Sequence, residues 1–320
     1  MDFEILLSNL TNPTLLFFVL GILATTIKSD LEIPPSSSKF ISLYLLFAIG
    51  FKGGQELALT PFTSEIFYSI VFGIAISALI PLYTFFILKR KMSMSNAGAV
   101  AATYGSVSAV TFVSAVSFLE THELDFGGHM VAIMALMESP AIIIGVILMM
   151  RYDDELRTSG NLKETVKHSF TNGSVLLILG SLIIGLIADT KQAEGIKPFT
   201  TDIFKGFLAI FLLEMGMVTA KRFGAFRQYG WFLSAFSIII PAINGCVVAW
   251  ASGLVTDDVG NRFMFAILAA SASYIAVPAA MRIAAPKADP GLYIPMALGL
   301  TFPFNITVGM PLYFAIANTG

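Results

Sequence analysis

Hydroxyl residues and a glycine interrupt an apolar segment of membrane length at Gly105, Ser106, Ser108 and Thr111. Lipid offers backbone amides and carbonyls no hydrogen-bond partner, so we expect a helix break here that protein or water satisfies. The amides near Gly105 and Ser106 are candidates for anion binding, because a helix N-terminus carries partial positive charge. The hydroxyls of Ser106, Ser108 and Thr111 suit sodium, a hard cation that prefers oxygen ligands.

A second stretch of this kind, residues 270–278, lies in the other half of the chain and contains Ser273 and Tyr274. Paired interruptions in two halves of a membrane protein point to a transporter's binding site. If the breaks cross, we expect the amides near Ser273 and Tyr274 to help hold the anion. Two alternatives stay open, namely kinked helices whose hydroxyls bond to the preceding turn and small residues that allow close packing. Tyr274 either lines the site or fills a gap in the core.

Three further polar residues lie within apolar segments. Glu138 precedes Pro140, and a carboxylate inside a bilayer by default marks an ion or proton path. We predict that Glu138 binds sodium, with a protonated, hydrogen-bonded glutamate as the alternative. Asn305 lies at a similar depth and either binds sodium or caps a kink. Glu214 is nearer the end of its segment and is interpreted as an interfacial residue.

The composition is that of a polytopic membrane protein. Of the 320 residues, 56% are hydrophobic and 12% are charged, and the mean hydropathy is +0.80. Soluble domains carry roughly 25% charged residues. A net charge of −2 without a long basic cluster gives no sign of nucleic-acid binding, and a single cysteine excludes an intrachain disulfide. No catalytic motif occurs, so we predict a protein that is not an enzyme and has no cofactor, with sodium as a co-substrate.

Ten apolar segments must position these residues, since about 20 apolar residues cross the hydrocarbon core as a helix. The segments are about 13–27, 39–51, 66–88, 96–120, 128–150, 172–188, 203–219, 230–253, 261–284 and 291–317. With both termini outside, most of the 19 Lys and Arg residues lie on the inner side, in agreement with the positive-inside rule. We predict a multi-pass protein in contact with lipid, with both termini outside.

The polar connection 151–170 divides the chain into residues 1–150 and residues 171–320, each with five segments. An odd number of segments per half inverts the second half relative to the first. Glycine ends the second and seventh segments in register, at Gly50 and Gly216. We therefore predict an all-α membrane protein in which two five-helix repeats, joined by a cytoplasmic linker, form a 5+5 inverted repeat. Its broken fourth and ninth helices are expected to cross.

Taken together, several motifs resemble the sodium-dependent bicarbonate transporters best known from cyanobacteria, over nearly the whole chain. They are Met1-Asp2-Phe3, Asn12-Pro13-Thr14-Leu15, Ile49-Gly50-Phe51-Lys52-Gly53-Gly54, Tyr104-Gly105-Ser106-Val107-Ser108, Glu138-Ser139-Pro140-Ala141, Ala269-Ala270-Ser271-Ala272-Ser273, Ala288-Asp289-Pro290 and Tyr293-Ile294. The resemblance implies a homotrimeric permease of the bacterial inner (plasma) membrane, with a gate domain and a mobile core domain. It also implies that bicarbonate and sodium bind together where the broken helices meet.

The sequence departs from this family at both breaks and in the central connection. The family has an aspartate where Glu138 stands, and another aspartate at the position of Tyr274. Ala276 and Val277 replace a serine and a glycine of the family's second break. Cyanobacterial members also have a much longer central loop and respond to a small signal-transduction protein. Because this loop has only about 20 residues here, we do not predict that regulatory partner for this protein.

The sequence therefore predicts a secondary active transporter that moves bicarbonate or a similar small anion together with sodium. Co-transport is physically reasonable, because a bound cation neutralises an anion that is costly to desolvate. One alternative is a proton-coupled transporter or sodium/proton exchanger that uses Glu138 as the carrier. Another is a membrane receptor or scaffold that transports nothing.

Overall fold

The computed structural model describes residues 13–153, 162–222 and 226–319. Within these ranges the regular secondary structure is helical and no strand occurs, so the predicted all-α class is confirmed there. Helices occupy all ten predicted apolar segments. The fourth and ninth segments each contain two helices separated by a short break.

Six helices form the described part of the first half. They are α1 (Pro13–Thr26), α2 (Pro35–Leu59), α3 (Ser64–Leu88), α4 (Met94–Gly105), α5 (Ala109–Thr121) and α6 (His129–Tyr152). The side chains of Thr63, Ser93 and Ser108 accept hydrogen bonds from first-turn amides of α3, α4 and α5. Each cap satisfies one of the four amides that a helix start leaves without a partner.

Eight helices follow in the described part of the second half. They are α7 (Leu162–Thr171), α8 (Gly173–Ile187), α9 (Thr190–Glu194), α10 (Phe204–Arg222), α11 (Phe226–Ala251), α12 (Val259–Ala270), α13 (Ala276–Ala284) and α14 (Pro290–Thr319). Helix α11 is kinked at Gly230, whose φ of 75° lies in the left-handed region that glycine tolerates. Helix α14 contains two π-helical stretches, Ala297–Thr301 and Asn305–Gly309.

By length and composition, six helical segments in the described ranges can cross a membrane, or seven if α7 and α8 form one bent span. The chain is thus a multi-pass membrane protein. Helices α1 and α12 are apolar but shorter, and the broken fourth segment counts as one span of 28 residues. The count of ten spans stays a prediction, because short and interrupted helices do not meet a length criterion by themselves.

Part of the connection predicted at 151–170 is helical. Helix α7 occupies Leu162–Thr171 and meets α8 at an angle of 45°. The Asn172 side chain caps α8 by accepting a hydrogen bond from the Ser174 amide at 2.9 Å. Residues 154–161, the most acidic part of the predicted linker, lie outside the described residues.

Two pairs of helices approach each other closely through glycines. Helix α1 packs along α10, and α2 packs along α8. A Cβ atom added to Gly21 would collide with the α10 backbone, and one added to Gly216 would collide with the α1 backbone. Likewise, a Cβ atom added to Gly54 would collide with the α8 backbone, and one added to Gly185 would collide with the α2 backbone. Small residues let membrane helices pack at backbone contact, so these four helices form one tight four-helix group.

The remaining long helices form a second group that contains both breaks. Helices α3, α4 and α6 pack on one another, as do α11, α12 and α14, and α5 contacts α12. In the broken segment Met94–Thr121, 89% of the most apolar 18-residue stretch is buried inside the protein. The corresponding share is 39% for α3 and 44% for the α11 region. The broken helices are therefore shielded by protein, where interrupted backbone is tolerated. We call the helices of this second group, α3, α4, α5, α6, α11, α12 and α14, the broken-helix group.

Candidate functional site

The first break lies between α4 and α5. The chain is extended at Ser106 and Ser108, and helix α5 starts at Ala109. The Ser108 hydroxyl accepts a hydrogen bond from the Thr111 amide at 3.2 Å, so this helix N-terminus is capped. The Ser106 hydroxyl is buried and donates to the Glu138 carbonyl at 3.4 Å, which ties the break to α6.

The second break lies between α12 and α13. Helix α12 ends at Ala270, and α13 begins at Ala276 after an extended Ser271. Ile275 occupies the N-cap position of α13, and no side chain caps this helix start. The first amides of α13 thus lack the side-chain acceptor that Ser108 supplies to α5. The two helix starts at the breaks are unequal.

The two breaks contact each other directly. The Ser273 amide donates to the Thr103 carbonyl at 2.8 Å, and the Ser108 amide donates to the Ser271 hydroxyl at 2.9 Å. The Ser271 hydroxyl donates in turn to the Leu268 carbonyl at 2.9 Å. Each break therefore satisfies backbone groups that the other frees, as buried polar groups require.

A narrow central cavity of about 30 Å³ lies between the breaks and the four-helix group. Its polar lining consists of Ser42, Ser108, Glu138, Ser174, Ser273 and Tyr274. Most of its other walls are aliphatic, including Leu45, Val110 and Ile178. A mainly apolar cavity with a few converging polar groups is the usual form of a small-ligand site.

Four of the predicted site residues line the central cavity, namely Ser108, Glu138, Ser273 and Tyr274. The Glu138 side chain is only 7% exposed. Among the described residues, its carboxylate forms neither an ion pair nor a hydrogen bond. A buried carboxylate without a protein partner is costly, so it normally carries a proton or a bound cation.

The other predicted site residues lie behind this lining. Gly105 packs between helices, and a Cβ there would lie 2.6 Å from Pro81 Cγ and 3.1 Å from Ala141 Cβ. Ser106 and Thr111 are buried and held by the bonds described above. These three residues shape the break, and their predicted ligand roles stay predictions.

Asn305 is engaged at the end of α12. Its Nδ2 donates to the Ala270 carbonyl at 2.8 Å, and its Oδ1 accepts from the Tyr313 hydroxyl at 3.1 Å. Helix α14 thereby holds the last turn before the second break. This geometry favours the capping alternative, and the sodium role of Asn305 stays a prediction.

Tyr274 faces the four-helix group. Its ring lines the central cavity, and its hydroxyl lies 3.9 Å from the Met215 sulfur of α10, a weak contact. The side chain is partly buried. Of the two readings of this residue, lining the site and filling the core, the geometry favours the first.

Sequence reasoning missed three hydroxyls at the site. Ser42 and Ser174 line the cavity from α2 and α8, and Ser271 joins the two breaks. Ser271 lies in the second stretch that the sequence singles out, and Ser174 follows the Asn172 cap. Ser42 carries no local signal, since it is one serine in an otherwise apolar turn.

Ion pairs join the two helix groups on the side of the cavity where α5 ends. Glu120 of α5 lies 3.6 Å from the Lys52 amine of α2 and 3.0 Å from the Lys205 amine of α10. Lys52 also lies 4.0 Å from Glu56. Burial raises the pKa of the Glu56 carboxyl, Lys52 opposes this, and Asp125 and Glu120 add to the rise. We call Lys52, Glu120 and Lys205 the ion-pair latch.

The comparisons with known proteins agree with the motifs quoted above. A search of curated proteins gives no match. A sequence model of the Na+-dependent bicarbonate transporter superfamily matches residues 13–318, which confirms the resemblance. The chain therefore belongs to the Na+-dependent bicarbonate transporter superfamily.

Proposed function

We propose that this protein is a secondary active transporter that couples sodium to the uptake of bicarbonate or a similar small anion. One observation carries the proposal: the two helix breaks meet at a cavity that holds both a helix start without a side-chain cap and a buried, unpartnered carboxylate. The helix start favours an anion, and the carboxylate favours a cation. A site of this kind accepts an anion and a cation together.

The anion binds at the second break. The amides at the start of α13 have no side-chain acceptor, and an N-terminus carries about half a positive charge. Ser108 and Ser273 line the same cavity, and a serine hydroxyl can donate to an anion oxygen. A planar oxyanion with three oxygens fits donors that converge from two directions.

The cation binds beside the Glu138 carboxylate. Sodium takes oxygen ligands, and the hydroxyls of Ser42 and Ser108 lie in the same lining. A sodium ion there compensates the buried charge of Glu138 and attracts the anion. Each ion lowers the desolvation cost of the other, which couples their binding.

The proposed architecture is an inverted repeat of two five-helix units, residues 1–150 and residues 171–320, in ten spans. The packing of α1 on α10 and of α2 on α8 supports it, because the first helix of each half then contacts the second helix of the other half, as a two-fold relation between the repeats requires. In this proposal the four-helix group is the gate and the broken-helix group is the mobile core. We further propose a homotrimer in a bacterial inner membrane with both termini outside.

Uptake of labelled bicarbonate into proteoliposomes tests the function. We expect uptake that requires an inward sodium gradient and that stops when potassium replaces sodium. Glu138→Gln is nearly isosteric but uncharged and should lower uptake at least about tenfold, the effect of about 1.4 kcal/mol. Glu194→Gln, on the exposed helix α9, is the matched control. Uptake that is equal in sodium and potassium contradicts the coupling.

Proton coupling is the second candidate, because an unpartnered buried carboxylate can also carry a proton. It predicts uptake that follows a pH gradient without sodium and is lost in Glu138→Gln. A scaffold without transport activity predicts no uptake, and for it the double substitution Ser108→Ala and Ser273→Ala should be silent. Measurement of uptake under separate sodium and pH gradients distinguishes these outcomes.

A further inference from the structure

A second cavity adjoins the central one on the side where α1 connects to α2. This side cavity has a volume of about 350 Å³. It shares Ser42, Leu46, Ser174 and Ile275 with the central cavity, so the two cavities are adjacent. The ion-pair latch lies towards the opposite end of α2. The side cavity is therefore an approach to the binding site from the α1–α2 side.

A carboxylate of the four-helix group opens onto this approach. Glu214 lies in the middle of α10 and lines the side cavity, and its predicted interfacial depth stays a prediction. Its Oε2 atom is buried and has no hydrogen-bond partner among the described residues. Ser38 lies beside the carboxylate and also lines the cavity. Ser38 hydrogen-bonds the carboxylate and compensates it only in part, since no basic side chain of the described residues pairs with it.

The nearest basic candidate does not provide this compensation. Lys39 lines the same cavity but is exposed, and it forms no ion pair within 4.0 Å in the part of the chain that the structure describes. Extended towards solvent, its amine attracts anions to the approach without neutralising Glu214. The Glu214 carboxylate therefore has no basic partner in the described part of the chain, which leaves it available to a mobile cation.

Tyr274 lies near residues of both cavities. Its ring lines the central cavity with Glu138, and its hydroxyl reaches Met215, the residue after Glu214. Ile275, the next residue, lines both cavities. An ion that moved from Glu214 to Glu138 would come close to this side chain.

We propose that Glu214 and Ser38, with the hydroxyls of Ser42 and Ser174 nearby, form a second sodium site at the approach to the central site. One carboxylate and neutral hydroxyls carry a single negative charge, which matches a monovalent cation. A divalent ion would keep an uncompensated charge close to Lys39 and usually takes more carboxylate ligands. Sodium occupies this site on its way between the α1–α2 side and Glu138. The inference rests on the proposed function.

Sodium binding in the absence of bicarbonate tests the site without relying on transport. Purified full-length protein in detergent is titrated with radioactive sodium, and the wild type should bind two ions per chain. Glu214→Gln and Glu138→Gln should each bind one, while Glu194→Gln should bind two. Glu214→Asp keeps the charge and should keep both ions, with the affinity of one weakened. Elution as a single species on gel filtration confirms that each variant is folded.

The outcomes separate this proposal from the function on which it rests. If Glu214→Gln still binds as much sodium as the wild type, or if the wild type binds only the ion lost in Glu138→Gln, the second site is refuted. A pH-dependent proton release that disappears in Glu214→Gln, without any change in sodium binding, also overturns it in favour of a proton site. If sodium binding depends on Glu214 but bicarbonate uptake does not need sodium, the site stands and the proposed symport fails.

Discussion

Breaking the ion-pair latch should open the protein at the end where α5 terminates. Glu120→Gln removes the charge that holds Lys52 at 3.6 Å and Lys205 at 3.0 Å. The Glu120 side chain is 29% exposed, and those of the lysines are 40% and 60% exposed, so both pairs are screened by water. Exposed pairs of this kind contribute roughly 0.2–1 kcal/mol each, so their joint loss amounts to about 1 kcal/mol. At 1.4 kcal/mol per factor of ten, the open population rises about fivefold.

Labelling of a buried reporter measures this population. Thr200 lines the small pocket beside the latch and is only 5% exposed, so a cysteine there should react only in molecules that open. We expect the rate of labelling of Thr200→Cys by a water-soluble maleimide, in a Cys246→Ser background, to rise about fivefold with Glu120→Gln, because the rate follows the open population. Glu194→Gln is the control and should leave the rate unchanged.

Salt provides an independent check on the same reasoning. Raising the ionic strength from about 0.01 M to about 1 M shortens the screening length from about 30 Å to about 3 Å and weakens exposed pairs. The labelling rate of the protein with Thr200→Cys alone should therefore rise with potassium chloride. The rate of the protein that carries both Thr200→Cys and Glu120→Gln should change little. An unchanged rate in Glu120→Gln, or an equal response to salt in both proteins, would refute the idea that these pairs hold the end closed.

Three further predictions concern stability, each measured by thermal unfolding in detergent. Gly54→Ala places a methyl group against the α8 backbone and should destabilise the protein by about 1–3 kcal/mol, whereas Gly206→Ala, where a Cβ meets nothing within 4 Å, should have little effect. The raised pKa of Glu56 means that its charged form is disfavoured in the folded protein, so its contribution to stability falls as the pH rises from the unfolded pKa through the folded one. Glu56→Gln should therefore stabilise the protein at pH 7 and lose this advantage near pH 4; the opposite trend would show that the sign is wrong. Asn305→Leu leaves the Ala270 carbonyl without its donor and should cost about 1–3 kcal/mol; no loss would mean that the cap is dispensable.

The positions of the helices and of their breaks follow from local sequence. Apolar length locates the segments, and glycine or serine within them locates the interruptions, because unpaired backbone in lipid is costly. Gly105 and Ser108 show how far this reasoning reaches. It identifies the break correctly, but it does not predict which residue of the break faces the cavity. Ser108 faces the cavity, whereas Gly105 is packed against Pro81.

Contacts between distant parts of the chain were not predictable in the same way. Ser42 and Glu214 lie in helices that the sequence presents as ordinary spans, and only the packing of α2, α8 and α10 brings them to the cavities. The place of Glu214 at the side cavity was not predicted, because an apolar stretch does not reveal which neighbouring helices its residues face. Asn305 similarly has two plausible roles until its partner Ala270 is known.

The two helix starts at the breaks should respond differently when the proposed anion binds. The Ser108 side chain caps α5, whereas no side chain caps the start of α13 at Ile275. An anion bound there would act as the missing cap, and a cap contributes about 1 kcal/mol to helix stability. The first turn of α13 would then fray without cargo and become ordered with it. Amide hydrogen exchange in that turn would thus report on occupancy, and cargo recognition would include the final step of folding this helix.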